Sequence, residues 1–271
     1  GQKLVAKGYG SVVCYDTTAG DLVYRKELSS ELDFATAGAA KNLDLLAVIA
    51  NREVHVINLK TGAMFAKIST RDQVESVSFS QDETRLLIND RLDQLSIYDA
   101  RKTIPARDGN PLPTLARLGS FVAMTDGSWL VMDQEGRYDA SDPGKVTGAS
   151  YVLEWEGGLE PIDVHQLKPV FYEPNLFAKL LGKDESPKRS VPDLDTIRLY
   201  PEVLIERSKV NPNRIAVTLK PRDGGGVGTV RVLLNGKEIE TKKNSDFFNV
   251  NLADYQAFFL PSSQLPEGQG N

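Results

Sequence analysis

Along the first hundred residues, apolar and polar positions alternate with the period of two that marks strands. Ser11-Val12-Val13-Cys14-Tyr15-Asp16 is one such run, followed by Thr18-Ala19-Gly20. Glu53-Val54-His55-Val56-Ile57-Asn58 is a second, followed by Lys60-Thr61-Gly62. Gln94-Leu95-Ser96-Ile97-Tyr98-Asp99 is a third, followed by Ala100-Arg101. The closing Asp or Asn falls at positions 16, 58 and 99, spacings of 42 and 41 residues. In the first two copies a glycine follows four residues later, which suits a tight turn. Glycine supplies positive φ, and an Asx side chain bonds nearby backbone. The third copy lacks that glycine. A second recurring piece, Val77 to Leu87, reads strand, polar turn, strand. Phe121 to Val131 repeats its plan, and Leu32 to Val48 is a looser copy.

A period of roughly 40–45 residues is that of a four-stranded β-propeller blade. Each blade buries its faces only against its neighbours, so single blades are unstable. The runs resemble the WD-repeat family, with Tyr-Asp standing at 15–16 and 98–99 where that family has Trp-Asp. The Gly-His pair common in the family is missing from all copies. Three or so blades are expected within residues 1–140, whereas closed propellers typically have 4–8. The remaining blades are expected upstream of Gly1.

Beyond residue 140 the pattern changes. Tyr151 to Trp155 reads as a strand. From Pro174 a short helix is predicted, with Leu176, Phe177, Leu180 and Leu181 as its apolar face and Gly182 as its C-cap. Residues 141–195 therefore form a connector. Residues 183–195, polar and proline-containing, read as a linker. From 196 to 271 a second β region follows, with candidate strands at Arg214–Leu219, Thr229–Leu234, Lys237–Ile239, Phe247–Val250 and Phe258–Leu260. Asn235-Gly236 is a strong hairpin signal. This suits an immunoglobulin-like sandwich with its last strands missing, since such a sandwich has about seven strands. The expected fold class is all-β: a partial WD-repeat β-propeller, a short helical connector and an incomplete immunoglobulin-like β-sandwich.

Composition narrows the function. The chain has 271 residues, 41% hydrophobic and 25% charged, with net charge −5 and no long run of one sign. A phosphate-tracking nucleic-acid binder usually shows a basic face, so no nucleic acid is expected. No apolar stretch approaches the roughly 18 residues of a membrane span. Cys14 is the only cysteine, which excludes an intrachain disulfide and a zinc site built on paired cysteines. A reducing, cytoplasmic location fits, with a periplasmic one as the alternative. The start at Gly1 and the turn-like Gly268-Gln269-Gly270-Asn271 read as a piece of a longer protein.

The order of short motifs adds a further resemblance. Repeats are followed by Gly136-Arg137-Tyr138-Asp139-Ala140-Ser141, then Phe171-Tyr172-Glu173-Pro174-Asn175-Leu176. Then come Gly224-Gly225-Gly226-Val227-Gly228 and Leu234-Asn235-Gly236-Lys237-Glu238. This order resembles the non-catalytic region of bacterial WD-repeat proteins that carry a caspase-like (metacaspase-type) protease domain. The resemblance covers nearly the whole chain and rests on motif order. It implies a His/Cys protease domain outside this chain.

Candidate chemistry is sparse. Cys14 with His55 or His165 makes a formal nucleophile–base pair. Cys14, however, matches Val56 and Ile97 in blade register and reads as a packing residue, and His165 reads as exposed. Asp223 to Gly228 resembles a phosphate loop, but a strand rather than a helix follows it, so a sandwich loop is the better reading. Asp193, Asp195 and Glu206 have nothing to bring them together. Trp129, Tyr138, Trp155, Phe171 and Tyr172 form the densest aromatic set. They read first as a core joining the last blade to the helix, and second as a partner-binding groove. No catalytic residue, cofactor or metal is expected. The leading function is a protein-interaction and regulatory scaffold whose propeller binds a protein partner or the associated protease domain. The alternatives are a propeller hydrolase with channel carboxylates and a structural cell-envelope module.

Overall fold

The computed structural model describes residues 3–8, 10–27, 37–92, 94–105, 112–155, 158–198, 200–222 and 226–258. The chain is all-β, with only short helical turns. It divides into two compact units, Gly1–Tyr151 with Pro161–Pro192, and Val152–Glu160 with Asp193–Asn271.

The first unit holds three antiparallel sheets. The first comprises β1 (Lys3–Gly8), β2 (Ser11–Asp16) and β3 (Leu22–Glu27). The second is a four-stranded meander of β4 (Ala37–Ala40), β5 (Leu45–Ala50), β6 (Glu53–Asn58) and β7 (Met64–Ser69), the strand order of one propeller blade. The third begins in the same way with β8 (Val74–Phe79), β9 (Arg85–Asp90), β10 (Gln94–Ile104) and β11 (Thr114–Ala123). It then continues through β12 (Trp129–Asp133) and β13 (Tyr138–Ala140) to six strands.

The repeated runs occupy the same position in successive sheets, as β2, β6 and β10. Asp16 Oδ1 accepts the N–H groups of Thr18 and Ala19 at 2.8 and 3.1 Å. Asn58 Oδ1 accepts those of Lys60 and Thr61 at 2.9 and 3.1 Å. Gly20 and Gly62 close the two turns at φ 78° and 71°. Asp99 Oδ1 accepts one backbone N–H, that of Arg101 at 2.9 Å, together with the Arg101 Nε at 3.4 Å. Without the glycine the chain does not turn there, and β10 runs on across a register shift to Ile104.

Packing follows the alternation. Leu45, Ala47, Ile49, Val54 and Val56 of the second sheet meet Val77, Leu86, Ile88, Tyr98 and Leu115 of the third in one buried cluster. Leu46, Val48 and Ile57, on the opposite face, meet Val12 of the first.

Phe121 to Val131 forms strand, polar turn and strand, as its plan suggests, within the third sheet. The turn at Asp126-Gly127 returns β12 directly onto β11, with Phe121 opposite Val131. Asp126 Oδ1 accepts the N–H and hydroxyl of Ser128 at 2.9 and 2.6 Å, which makes this a tight hairpin turn. A hairpin partner is the nearest strand with unpaired backbone groups, so β12 becomes the fifth strand of the sheet already present.

The outer face of the third sheet is covered by helices. A 3-10 turn (Val164–Leu167) leads into α1 (Lys168–Phe171), and α2 (Leu176–Leu180) follows. Leu176 and Leu180 bury Ile97 and Val131, with Phe121, Trp129 and Phe177 around them. Gly182 ends α2 at φ 72°, the C-terminal glycine expected there. The polar stretch after it is held rather than free. Arg189 N–H donates to Glu173 Oε2 at 2.8 Å, and Lys188 Nζ to Asp133 Oδ2 at 3.0 Å.

β14 (Ser150–Trp155) and β15 (Gly158–Asp163) form a separate hairpin. The second unit contains β16 (Glu202–Arg207), β17 (Arg214–Lys220) and β20 (Phe247–Asn251) in the order β16-β17-β20, and the hairpin β18 (Thr229–Leu234)–β19 (Lys237–Lys243). Val217, Leu219, Phe248 and Val250 share a core with Val230, Val232 and Ile239. Asn235 and Gly236, at φ 51° and 77°, make the expected hairpin turn. The strand β16 carries no signal singled out in the sequence. Phe258 closes a 3-10 segment (Leu252–Phe258) rather than starting a strand. Phe259 and Leu260 lie outside the described residues.

Candidate binding cleft

The aromatic set falls into distinct settings. Tyr138 and Phe171 are fully buried. Tyr138 packs on Tyr172 with ring centres 5.8 Å apart, and Phe171 packs on Tyr151 at 5.3 Å. Trp129, half-buried, stacks on Phe121 at 6.1 Å. The Trp155 side chain lies outside what is described. Tyr138 and Phe171 thus serve as core, and Trp129 and Tyr172 keep some exposed surface.

The two motifs of the connector are brought together. Glu173 N–H donates to the Tyr138 carbonyl at 2.8 Å. Arg137 Nη1 donates to Asp133 Oδ2 at 2.8 Å, and Arg137 Nε to the Arg189 carbonyl at 2.6 Å. Tyr151 donates its hydroxyl to the Gly136 carbonyl at 2.6 Å. Burial raises the Tyr138 phenol to about 12. Burial also raises the Asp139 carboxyl, against the hydrogen bonds it accepts from the Ala140, Leu176 and Asn175 backbone. These contacts build and hold structure.

The nucleophile–base pair gains no support from the geometry. Cys14 is fully buried. It stands opposite Tyr24 in the ladder. A nucleophile must meet its substrate, and this thiol has no exposed surface. His55 Nε2 pairs with Glu53 Oε2 at 3.0 Å, and His165 is half-buried in the 3-10 turn. Asp223, Gly224 and Gly225 lie outside the described residues. Asp193 and Asp195 share one 3-10 turn (Leu194–Thr196) and Glu206 lies on β16, all three exposed. Among the described residues, no group of three or more His, Cys, Asp or Glu is placed to hold a metal ion.

The concave feature of the first unit lies elsewhere. A cleft of about 380 Å³ is lined by Ser69, Thr70 and Arg71 after β7, and by residues of the third sheet. It arises from a change of pattern within β10. Tyr98 and Ala100 on the inner face are apolar and buried against the second sheet. Ser96 and Gln94 occupy the same face further back along the strand and are polar. Ser96 stands opposite Ser120 on β11, which stands opposite Met132 on β12. The extra strands therefore prolong a polar wall. Arg117, across from Tyr98, donates through Nη2 to Ser96 Oγ at 3.3 Å. Burial raises the Tyr98 phenol, and Arg117 and Ser96 act against that rise.

None of Arg71, Gln94, Ser96, Arg117 or Ser120 stood out in the sequence. The one available signal was the third repeat, where Ser96 takes a buried strand position that Val13 fills in the first copy.

No protein-family model matches the sequence, and no curated protein matches it. Solved structures do. The C-terminal WD40 domain of Sif2 is similar at 14% identity over 51% of this chain and 42% of its own, with a TM-score of 0.35. A chain of the mitotic checkpoint complex is similar at 14% identity over 54% and 48%, with a TM-score of 0.33. Hsv2 of Kluyvelomyces marxianus is similar at 12% identity over 50% and 46%, with a TM-score of 0.29. The chain spans less than half the length of each of these.

Proposed function

We propose that this chain is a non-catalytic protein-interaction scaffold, and that its cleft between the second and third sheets receives the partner. The observation behind this reading is the polar concavity itself. Donors and acceptors from two rigid stacked sheets converge on it, as they do in preformed sites. The blades are read as part of a WD-repeat-type propeller, and the second unit as an immunoglobulin-like sandwich. The motif order supports a finer reading, in which the scaffold belongs to a bacterial protein with a caspase-like protease domain and regulates it.

The test is site-specific photo-crosslinking in cells of the source. A photoreactive amino acid at Ser120, inside the cleft, is expected to capture a discrete protein or the protease domain. The same group at Lys26, on β3, is expected not to. Equal capture from both positions, or none from Ser120, overturns the scaffold reading. The finer reading fails if the parent protein encodes no His/Cys protease domain.

A further inference from the structure

We propose that the occupant of the cleft is an acidic peptide segment, with a side-chain carboxylate held by Arg117 and Arg71; this rests on the scaffold reading above. The Nε of Arg117 is buried and has no acceptor among the described residues. Its Nη2 donates to the neutral hydroxyl of Ser96. A buried donor of a charged group is costly to leave unpaired, and a guanidinium presents its donors as a fork that matches a carboxylate.

Of the two carboxylates lining the cleft, Asp133 is paired with cations and Asp90 is held by backbone alone. Asp90 Oδ1 accepts the N–H groups of Leu92 and Gln94 at 3.0 and 3.3 Å. Asp133 Oδ2 accepts from Arg137 and Lys188 at 2.8 and 3.0 Å, and its Oδ1 accepts from the Glu135 and Arg137 backbone, each at 3.0 Å. Arg71 has no acidic partner among the described residues. Two guanidiniums thus face the same space against one carboxylate, Asp90, that no cation pairs with among the described residues, which leaves the lining with a net positive charge.

A basic side chain would meet both cations, and a neutral amide could accept from Arg117 Nε–H but would leave the two positive charges unanswered. The volume admits a side chain with adjoining backbone, and Gln94 and Ser120 in the lining carry polar groups that can hydrogen-bond to it. The net charge of the whole chain is −5, so long-range attraction does not favour an acidic partner. Selectivity for acid therefore has to come from these short contacts.

The experiment is fluorescence anisotropy on the whole chain with a labelled Gly/Ser peptide carrying adjacent glutamates. A glutamine version of the peptide and free succinate serve as comparisons. The acidic peptide is expected to bind about tenfold or more tightly than the glutamine version. Arg117→Gln is expected to remove that preference. Arg71→Glu, on an exposed segment that is not part of the core, is expected to do the same without affecting the fold. Equal binding of the two peptides, or a preference that survives both substitutions, overturns the proposal. Succinate binding as tightly as the acidic peptide also overturns it, in favour of a small anion. A protein that crosslinks from Ser120 and is captured equally by Arg117→Gln would overturn this inference and leave the scaffold reading standing.

Discussion

Arg85 Nε donates a hydrogen bond to the carbonyl oxygen of Leu180 over 2.6 Å, which ties the end of α2 to the start of β9 in the third sheet. In the second sheet, Val56 is buried by the sheet that follows. In the third, the equivalent Ile97 is buried by a short helix instead. The helix supplies the apolar cover that a further blade would give.

That substitution of helix for sheet can be measured. Leu180→Ala removes the centre of the cover and is expected to cost about 2–5 kcal/mol. Gly119→Ala is expected to cost about 1–3 kcal/mol by crowding. Its Cβ would meet the Met132 carbonyl at 2.5 Å and Leu180 Cδ1 at 2.7 Å. Urea unfolding followed by Trp129 fluorescence reads both. Unchanged midpoints would mean that α2 is not packed where described.

The two turn glycines separate backbone strain from crowding. Gly20 has φ 78° and open space around it; Gly62 has φ 71° and the Tyr24 ring 2.7 Å from where a Cβ would stand. Gly20→Ala is expected to cost about 1–2 kcal/mol from the left-handed backbone alone. Gly62→Ala should cost more, because the ring must also move. Equal losses in thermal unfolding would rule out the Tyr24 contact.

Glu173 gives the connector a pH dependence. Burial alone would raise its pKa, but the Lys179 ammonium and the Arg189 N–H and charge outweigh it and hold the carboxyl below the usual glutamate value. A depressed acid stabilises the fold at pH above its unfolded value, and that contribution is lost as pH falls through the folded value. Glu173→Gln leaves the buried Lys179 ammonium unpaired and should cost about 3–5 kcal/mol at neutral pH. The gap between variant and wild type should shrink below about pH 4. A gap independent of pH would show that the ion pair is not formed. Asp139, raised by burial and in part by the Glu173 charge, works in the opposite direction, so the comparison is made in an Asp139→Asn background.

In the second unit, β16 is an edge strand among the described residues, with Val203, Leu204 and Ile205 exposed. Exposed apolar edges promote strand pairing between molecules, and lysine suppresses it. Ile205→Lys is expected to leave the melting temperature unchanged and to lower light scattering on concentration. A large drop in melting temperature would show Ile205 to be core.

The local structure was largely legible. The period of two, the Asx-Gly turns at 16–20 and 58–62, the Asn235-Gly236 hairpin and the α2 boundary at Gly182 are set by residues close in sequence, through φ preferences and short-range hydrogen bonds. The cleft was not legible. Ser96, Arg117 and Arg71 are ordinary polar residues until three strands from two sheets place them around one space. The aromatic set was visible as a cluster, but which rings are enclosed depends on how Tyr138 and Phe171 dock against neighbours distant in the chain.

The repeat that opens the sequence therefore determined the blades, because alternation and turn chemistry act over a few residues. Tertiary structure alone decided where the stack changes character. The hairpin at Asp126-Gly127 and the turn after β12 extend the third sheet to six strands, and α2 covers its outer face. Both follow from which unpaired edge and which apolar face lie nearest once the chain is folded, and no local pattern encodes that.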